Sequence, residues 1–146
     1  MMKTLLFVTA ILELGAGLAL ECCPSTAVAL LLGSPPDAPA AVTLGRLAGV
    51  ALFALGAACW FACRDAPGRA AKGMIAAMTA YNLGAVIVLS AAGLQLQPVG
   101  VVLWPAVILH AAMTVWCFRC LARKPTRIAE LPPSPSQKNH KKTQTA

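Results

Sequence analysis

Read for polarity alone, the chain alternates long apolar runs with short clusters of proline, glycine and charge. Four runs stand out, at about 4–20, 40–63, 73–94 and 99–118. A helix that crosses a bilayer needs about 20 predominantly apolar residues, with roughly 17–25 tolerated, and all four runs meet that requirement. Their ends carry helix-closing residues: Pro24 and Ser25 after the first, Pro35, Pro36 and Asp37 before the second, Asp65 to Gly68 between the second and third, and Gln95 to Pro98 between the third and fourth,. The pattern predicts an all-α integral membrane protein, a four-transmembrane-helix bundle occupying residues 1–121.

Two stretches fall outside the spans. "STAVALLLG", residues 25–33, is too short to cross and begins on a serine suited to an N-cap,. It predicts a short helix at the membrane interface or tucked against the bundle, the alternative being a surface loop with an apolar turn. From residue 122 the composition changes to "ARKPTRIAELPPSPSQKNHKKTQTA". This basic, proline-rich tail cannot bury enough apolar surface to fold alone and is expected to be disordered. Its expected role is to hold topology by positive charge; docking on anionic lipid or a soluble partner is the sharper alternative. Within the fourth run, Pro105 is expected to kink or loosen the helix about one turn before His110.

Composition strengthens the membrane reading. The hydrophobic fraction is 58%, only 12% of residues are charged, and the mean hydropathy is +0.72, values too apolar for an ordinary soluble domain. The net charge of +7 is concentrated at the flanks of apolar runs, where cytoplasmic loops and anionic headgroups account for it. It therefore does not imply a nucleic-acid partner. Lys3, Arg64, Arg69, Lys72 and Arg119 mark one side, whereas the connectors at 22–39 and 95–98 hold no Lys or Arg. Both termini are expected to be cytoplasmic. A secretory leader also begins with Met-Met-Lys and an apolar run, but Leu20, Glu21 and Cys22 lack the small residues of a cleavage site,.

The remaining signal is polarity at membrane depth. A charge at the bilayer centre costs about 2.5–3.5 kcal/mol on insertion scales, so an intramembrane ionisable residue marks a candidate site. Glu13 interrupts the first run, and Thr9, Ala16 and Gly17 share its helix face,. Asn82, beside Tyr81, falls near the middle of the third run and His110 near the middle of the fourth; Arg46 enters the second from the outer side and is long enough to reach inward,. Glu13, Arg46, Asn82 and His110 thus form a candidate buried polar cluster. It either fixes which helix sits beside which, with Glu13 protonated or paired with Arg46, or it binds a small polar ligand or relays a proton.

Two further patterns concern packing and thiols. Gly45, Gly49 and Gly56 give the second span a smooth face for the first span or for a second copy of the chain,. Cys59 and Cys63 are four apart and Cys117 and Cys120 three apart, at the same end of two spans. Thiolates in such spacing suit soft metals or redox pairs, while free cysteine also serves as a small hydrophobe. Cys22 and Cys23 are expected on the outer side,. The sequence holds no phosphate-binding glycine loop, nucleophile elbow or zinc-protease motif,, so no catalytic residue and no cofactor is assigned.

The stretch "GRLAGVALFALGAACWFA", an arginine followed by glycines at the start of a second membrane helix, resembles a segment of small four-span bacterial membrane proteins, including the DoxX-like group. The resemblance is one of layout over the four spans. It implies a compact four-helix protein of the bacterial inner membrane and carries no functional residue across. The function expected is an accessory or binding component of the membrane, with the lipid bilayer, and a second copy or another membrane protein, as partners. A thiol-based metal-handling or redox protein, and a small proton-coupled transporter acting as an oligomer, are the alternatives.

Overall fold

The computed structural model describes residues 1–96 and 98–122. Among these residues the chain forms five helices and no strand: α1 (Met2–Cys22), α2 (Pro24–Leu32), α3 (Pro39–Asp65), α4 (Arg69–Gln95) and α5 (Leu103–Ala122). All but α2 are long and apolar enough to cross a membrane. The four-span helical bundle with a short helix after its first span is therefore present. The basic tail, apart from Ala122 at the end of α5, lies outside the described residues.

Helix α1 runs antiparallel to α3 in the most extensive contact of the fold, followed by α4 with α5. Small residues set the first contact. A Cβ placed on Gly17 would lie 2.6 Å from the Phe53 amide nitrogen and 2.7 Å from the Gly49 carbonyl oxygen; one on Gly56 would lie 2.8 Å from the Leu14 nitrogen. The two backbones touch because neither helix carries a side chain there, the arrangement that favours association where lipid leaves no hydrophobic driving force. Thus Gly49 and Gly56 hold the first span within one chain, while Gly45 faces Pro24 and Val28 of α2.

The helices run past the expected spans at several ends, α4 starting at Arg69 rather than Gly73 and α5 ending at Ala122 rather than Phe118, and two of the starts have an identifiable local cause. Helix α2 starts one residue before Ser25, with Pro24 at its first position and Cys23 as a cap without a side-chain hydrogen bond. Proline fits there because its fixed φ suits the helix and its missing N–H would have had no partner. Helix α5 starts at Leu103 rather than at Val99. Pro105 therefore occupies the first turn, where backbone N–H groups are unpaired in any helix, and it does not interrupt the α5 helix.

What holds back the start of α5 is α2. The Val102 N–H donates to the Leu30 carbonyl at 3.0 Å, and Gly100 packs against that same carbonyl too closely for a Cβ. Gly33 closes α2 with φ of 93°, a left-handed conformation that glycine adopts without strain, and abuts the Pro98 carbonyl. Helix α2 is thereby fastened to the 98–102 connector.

At the other end, the Asp65 carboxylate accepts hydrogen bonds from the Ala70 N–H at 3.1 Å and the Ala71 N–H at 3.4 Å. The last residue of α3 thus caps α4, where a negative charge also complements the helix dipole. This end carries Lys3, Arg64, Arg69, Lys72 and Arg119.

The buried core is concentrated toward the basic end. Leu5, Leu6 and Ala10 of α1 meet Cys59 and Ala62 of α3, Ile75 and Met78 of α4, and Met113, Cys117 and Cys120 of α5 in one cluster. By contrast, Phe61, Ile87, Val88, Leu94, Val101 and Ile108 are between 62% and 79% exposed. So much apolar surface suits contact with lipid rather than water.

Candidate functional site

Packing that is tight at the basic end opens toward the other. Helix α3 contacts both α1 and α4, and α4 contacts α5, but α1 touches α4 and α5 only sparsely. The resulting gap is a cavity of about 810 Å³. Leu12, Ala16, Ala19 and Leu20 of α1 form one wall, Ala85, Val88 and Leu89 of α4 and Ala106 and Leu109 of α5 the other, and Ala27, Leu30 and Leu31 of α2 the roof. Met113, a member of the core cluster, forms part of its floor. The exposure of Ala16, Leu30, Val88 and Leu109 shows that the cavity opens sideways.

Glu13 lies about midway along α1, with roughly 16 Å of helix to Met2 and roughly 14 Å to Cys22,. It is 6% exposed and lines the cavity together with Tyr81, Asn82 and His110. The Tyr81 phenol is the side-chain hydrogen-bond partner of its carboxyl. Tyr81 also meets His110 edge to face, with ring centroids 5.7 Å apart and an interplanar angle of 80°. The Oδ1 of Asn82 lies 2.8 Å from His110 Nδ1. Three helices are joined by this chain of contacts.

The direction of these hydrogen bonds follows from the last link. Asn82 Nδ2 donates to the Met78 carbonyl at 2.7 Å, and a carbonyl can only accept, so Oδ1 is the atom facing the ring. Nδ1 must then carry a proton and donate. In the neutral imidazole Nε2 carries the lone pair, on a ring that lines the cavity. Asn82 is 2% exposed and orients His110 rather than offering free polar atoms of its own.

Thr9 completes the site. It is 2% exposed, lines the cavity one turn before Glu13, and its Oγ1 is the one buried side-chain oxygen or nitrogen without a hydrogen-bond partner among the described residues. A threonine inside a helix commonly bonds back to a carbonyl three or four residues earlier, as Thr79 does to Ile75 at 2.8 Å. Thr9 does not.

The structure thus brings together Glu13, Asn82 and His110, which isolated polarity singled out, and leaves Arg46 apart. Arg46 is exposed on α3, does not line the cavity, and forms no ion pair with Glu13. It begins about 10 Å along α3,, within reach of the interface for a long side chain. Tyr81 and Thr9 take its place as neighbours of the carboxyl. Their sequence signals were a lone tyrosine beside Asn82 and a hydroxyl four residues before Glu13.

The four thiols expected at one level gather at one core cluster but differ in burial. Cys59, Cys117 and Cys120 are buried members of the apolar core, whereas Cys63 is partly exposed and donates its thiol to the Lys3 carbonyl at 3.4 Å. Among the described residues no three His, Cys, Asp or Glu side chains are grouped to hold a metal ion. Burial among apolar side chains is the setting in which a free cysteine packs as a small hydrophobe. Cys22 and Cys23 are both exposed at the end of α1.

No protein-family model matches this chain, and neither a curated protein nor a solved structure matches it. The functional reading therefore rests on the geometry of the site.

Proposed function

We propose that this protein is a membrane-embedded binding component that takes a small, largely apolar molecule with a polar head into the cavity between α1 and the α4–α5 pair. The observation that carries this reading is the cavity itself: about 810 Å³, walled by aliphatic side chains, with Glu13, Tyr81 and His110 converging on it from three helices. Its volume lies within the range of small-molecule pockets, and apolar walls with a few convergent polar groups are their usual chemistry. A carboxyl held at mid-span is costly, and the pocket gives that cost a purpose.

The same reading places the chain in the bacterial inner membrane with both termini cytoplasmic. The gathering of Lys3, Arg64, Arg69, Lys72 and Arg119 at one end of the bundle supports the orientation,, and the resemblance in layout to small four-span bacterial proteins, the DoxX-like group among them, supports the membrane.

Native mass spectrometry of protein extracted gently from its host membrane tests the binding role. The wild type is expected to carry a bound small molecule that Gly84→Leu loses. Gly84 lines the cavity, and a Cβ there meets nothing within 4 Å, so the leucine fills the pocket without disturbing the backbone. Identical spectra for the two proteins would refute the proposal.

A further inference from the structure

The cavity offers its occupant an unbalanced set of polar atoms. Glu13 presents a carboxyl, His110 a ring whose Nδ1 is already engaged with Asn82, and Thr9 a buried Oγ1 with no partner. Among the described residues no Lys or Arg lines the cavity, and Arg46, the cation nearest to it in expected depth, is exposed on α3. An anionic head would meet the Glu13 carboxylate with no positive charge to compensate it. A neutral head would supply no counter-charge inside a low-dielectric wall, where the carboxyl is then accommodated only as the uncharged acid; a cationic head alone lets Glu13 bind as the carboxylate.

We infer that the cavity selects a lipophilic amine, a protonated ammonium head on an apolar body, with the head placed between Glu13, Thr9 Oγ1 and His110 Nε2. This assignment rests on the reading of the cavity as a binding site. An ammonium has three N–H donors and no acceptor, which matches one carboxylate oxygen, one hydroxyl oxygen and one imidazole lone pair. The apolar body fits walls made of Leu12, Ala85 and Leu109. The sideways opening lets such a molecule, already partitioned into the bilayer, enter without crossing water.

The titratable groups around Glu13 agree with this assignment. From α4 it meets Tyr81, α5 contributes His110, and Cys59 of α3 is buried in the neighbouring core. None of them is a fixed cation. Tyr81 donates one hydrogen bond to the carboxyl, so the position of the counter-ion is left to the ligand.

Binding of 1-adamantylammonium and of its neutral isostere 1-adamantanol to the full chain in phosphatidylcholine nanodiscs, measured by equilibrium dialysis against empty discs, tests the inference. The amine is expected to bind the wild type at least tenfold more tightly than the alcohol, Glu13→Gln to abolish that preference, and Thr9→Val to weaken the amine alone. Gly84→Leu is expected to exclude both molecules. If amine and alcohol bind equally and Gly84→Leu excludes both, the cavity remains a binding site and the selection for a cation is wrong. If neither exceeds empty discs, or Gly84→Leu changes nothing, the cavity reading falls and the inference with it.

Discussion

Replacing Glu13 by glutamine separates structure from use at a single residue. Glutamine keeps an oxygen for the Tyr81 phenol and removes a charge that costs about 2.5–3.5 kcal/mol at mid-bilayer on insertion scales. Thermal unfolding in detergent is expected to show Glu13→Gln at least as stable as the wild type, while the preference for the amine over the alcohol is lost. A large loss of stability would instead make Glu13 a packing element. Asn82 has the opposite character: Asn82→Ala removes the bond to His110 and should cost about 1 kcal/mol, in the range of hydrogen bonds between membrane helices. It also frees the imidazole, so 15N NMR should report an Nδ1-protonated His110 in the wild type and a changed tautomer in the variant. These two residues and His110 were legible because a polar group inside an apolar run is conspicuous. Arg46 does not join them because depth along a helix says nothing about azimuth, and Tyr81, conspicuous only as the neighbour of Asn82, carries no charge to set it apart in a hydrophobic run.

At the scale of elements, the contact between α1 and α3 depends on the absence of side chains. Gly17→Ala and Gly49→Ala each place a Cβ within 2.8 Å of the facing backbone and should destabilise the bundle by roughly 2 kcal/mol or more, as overpacking does. Gly15→Ala meets nothing within 4 Å and should be neutral or stabilise α1 by up to about 1 kcal/mol through helix propensity. Chemical denaturation of the three variants in mixed micelles distinguishes these outcomes, and equal effects at all three sites would contradict backbone contact. The spans themselves were legible from hydropathy and from their proline and glycine boundaries. The start of α5 was not, since Val99, Val101 and Val102 are as apolar as the helix that follows. Only the pairing of Val102 with Leu30, a contact between segments about 70 residues apart in the sequence, sets that boundary.

For the whole molecule, the bundle is closed at its basic end and parted at the other, with α2 bridging the gap. Charge and shape are thus aligned: the end rich in Lys and Arg is the packed one, and the cavity is roofed on the side of Cys22 and Cys23. Those cysteines are exposed and give a test of orientation. If both termini are cytoplasmic as proposed, a membrane-impermeant maleimide added to intact cells that express the protein should label a variant that retains only Cys22 and Cys23. Labelling only after cell lysis would reverse the topology. The short helix that forms the roof was legible as a helix too short to cross, but the gap it covers was not, because four spans of similar polarity pack into a filled or a parted bundle depending on which faces carry the small residues.

The account turns on whether Glu13 is reached from the lipid through the cavity. A lipophilic carbodiimide reacts with carboxyl groups and partitions into bilayers, so treatment of the protein in nanodiscs followed by peptide mass spectrometry reads that access directly. The account predicts a covalent adduct on Glu13, slowed by Gly84→Leu, which narrows the cavity, and by 1-adamantylammonium, which occupies it. A Glu13 that stays unmodified, or reacts at the same rate in all three conditions, would contradict it.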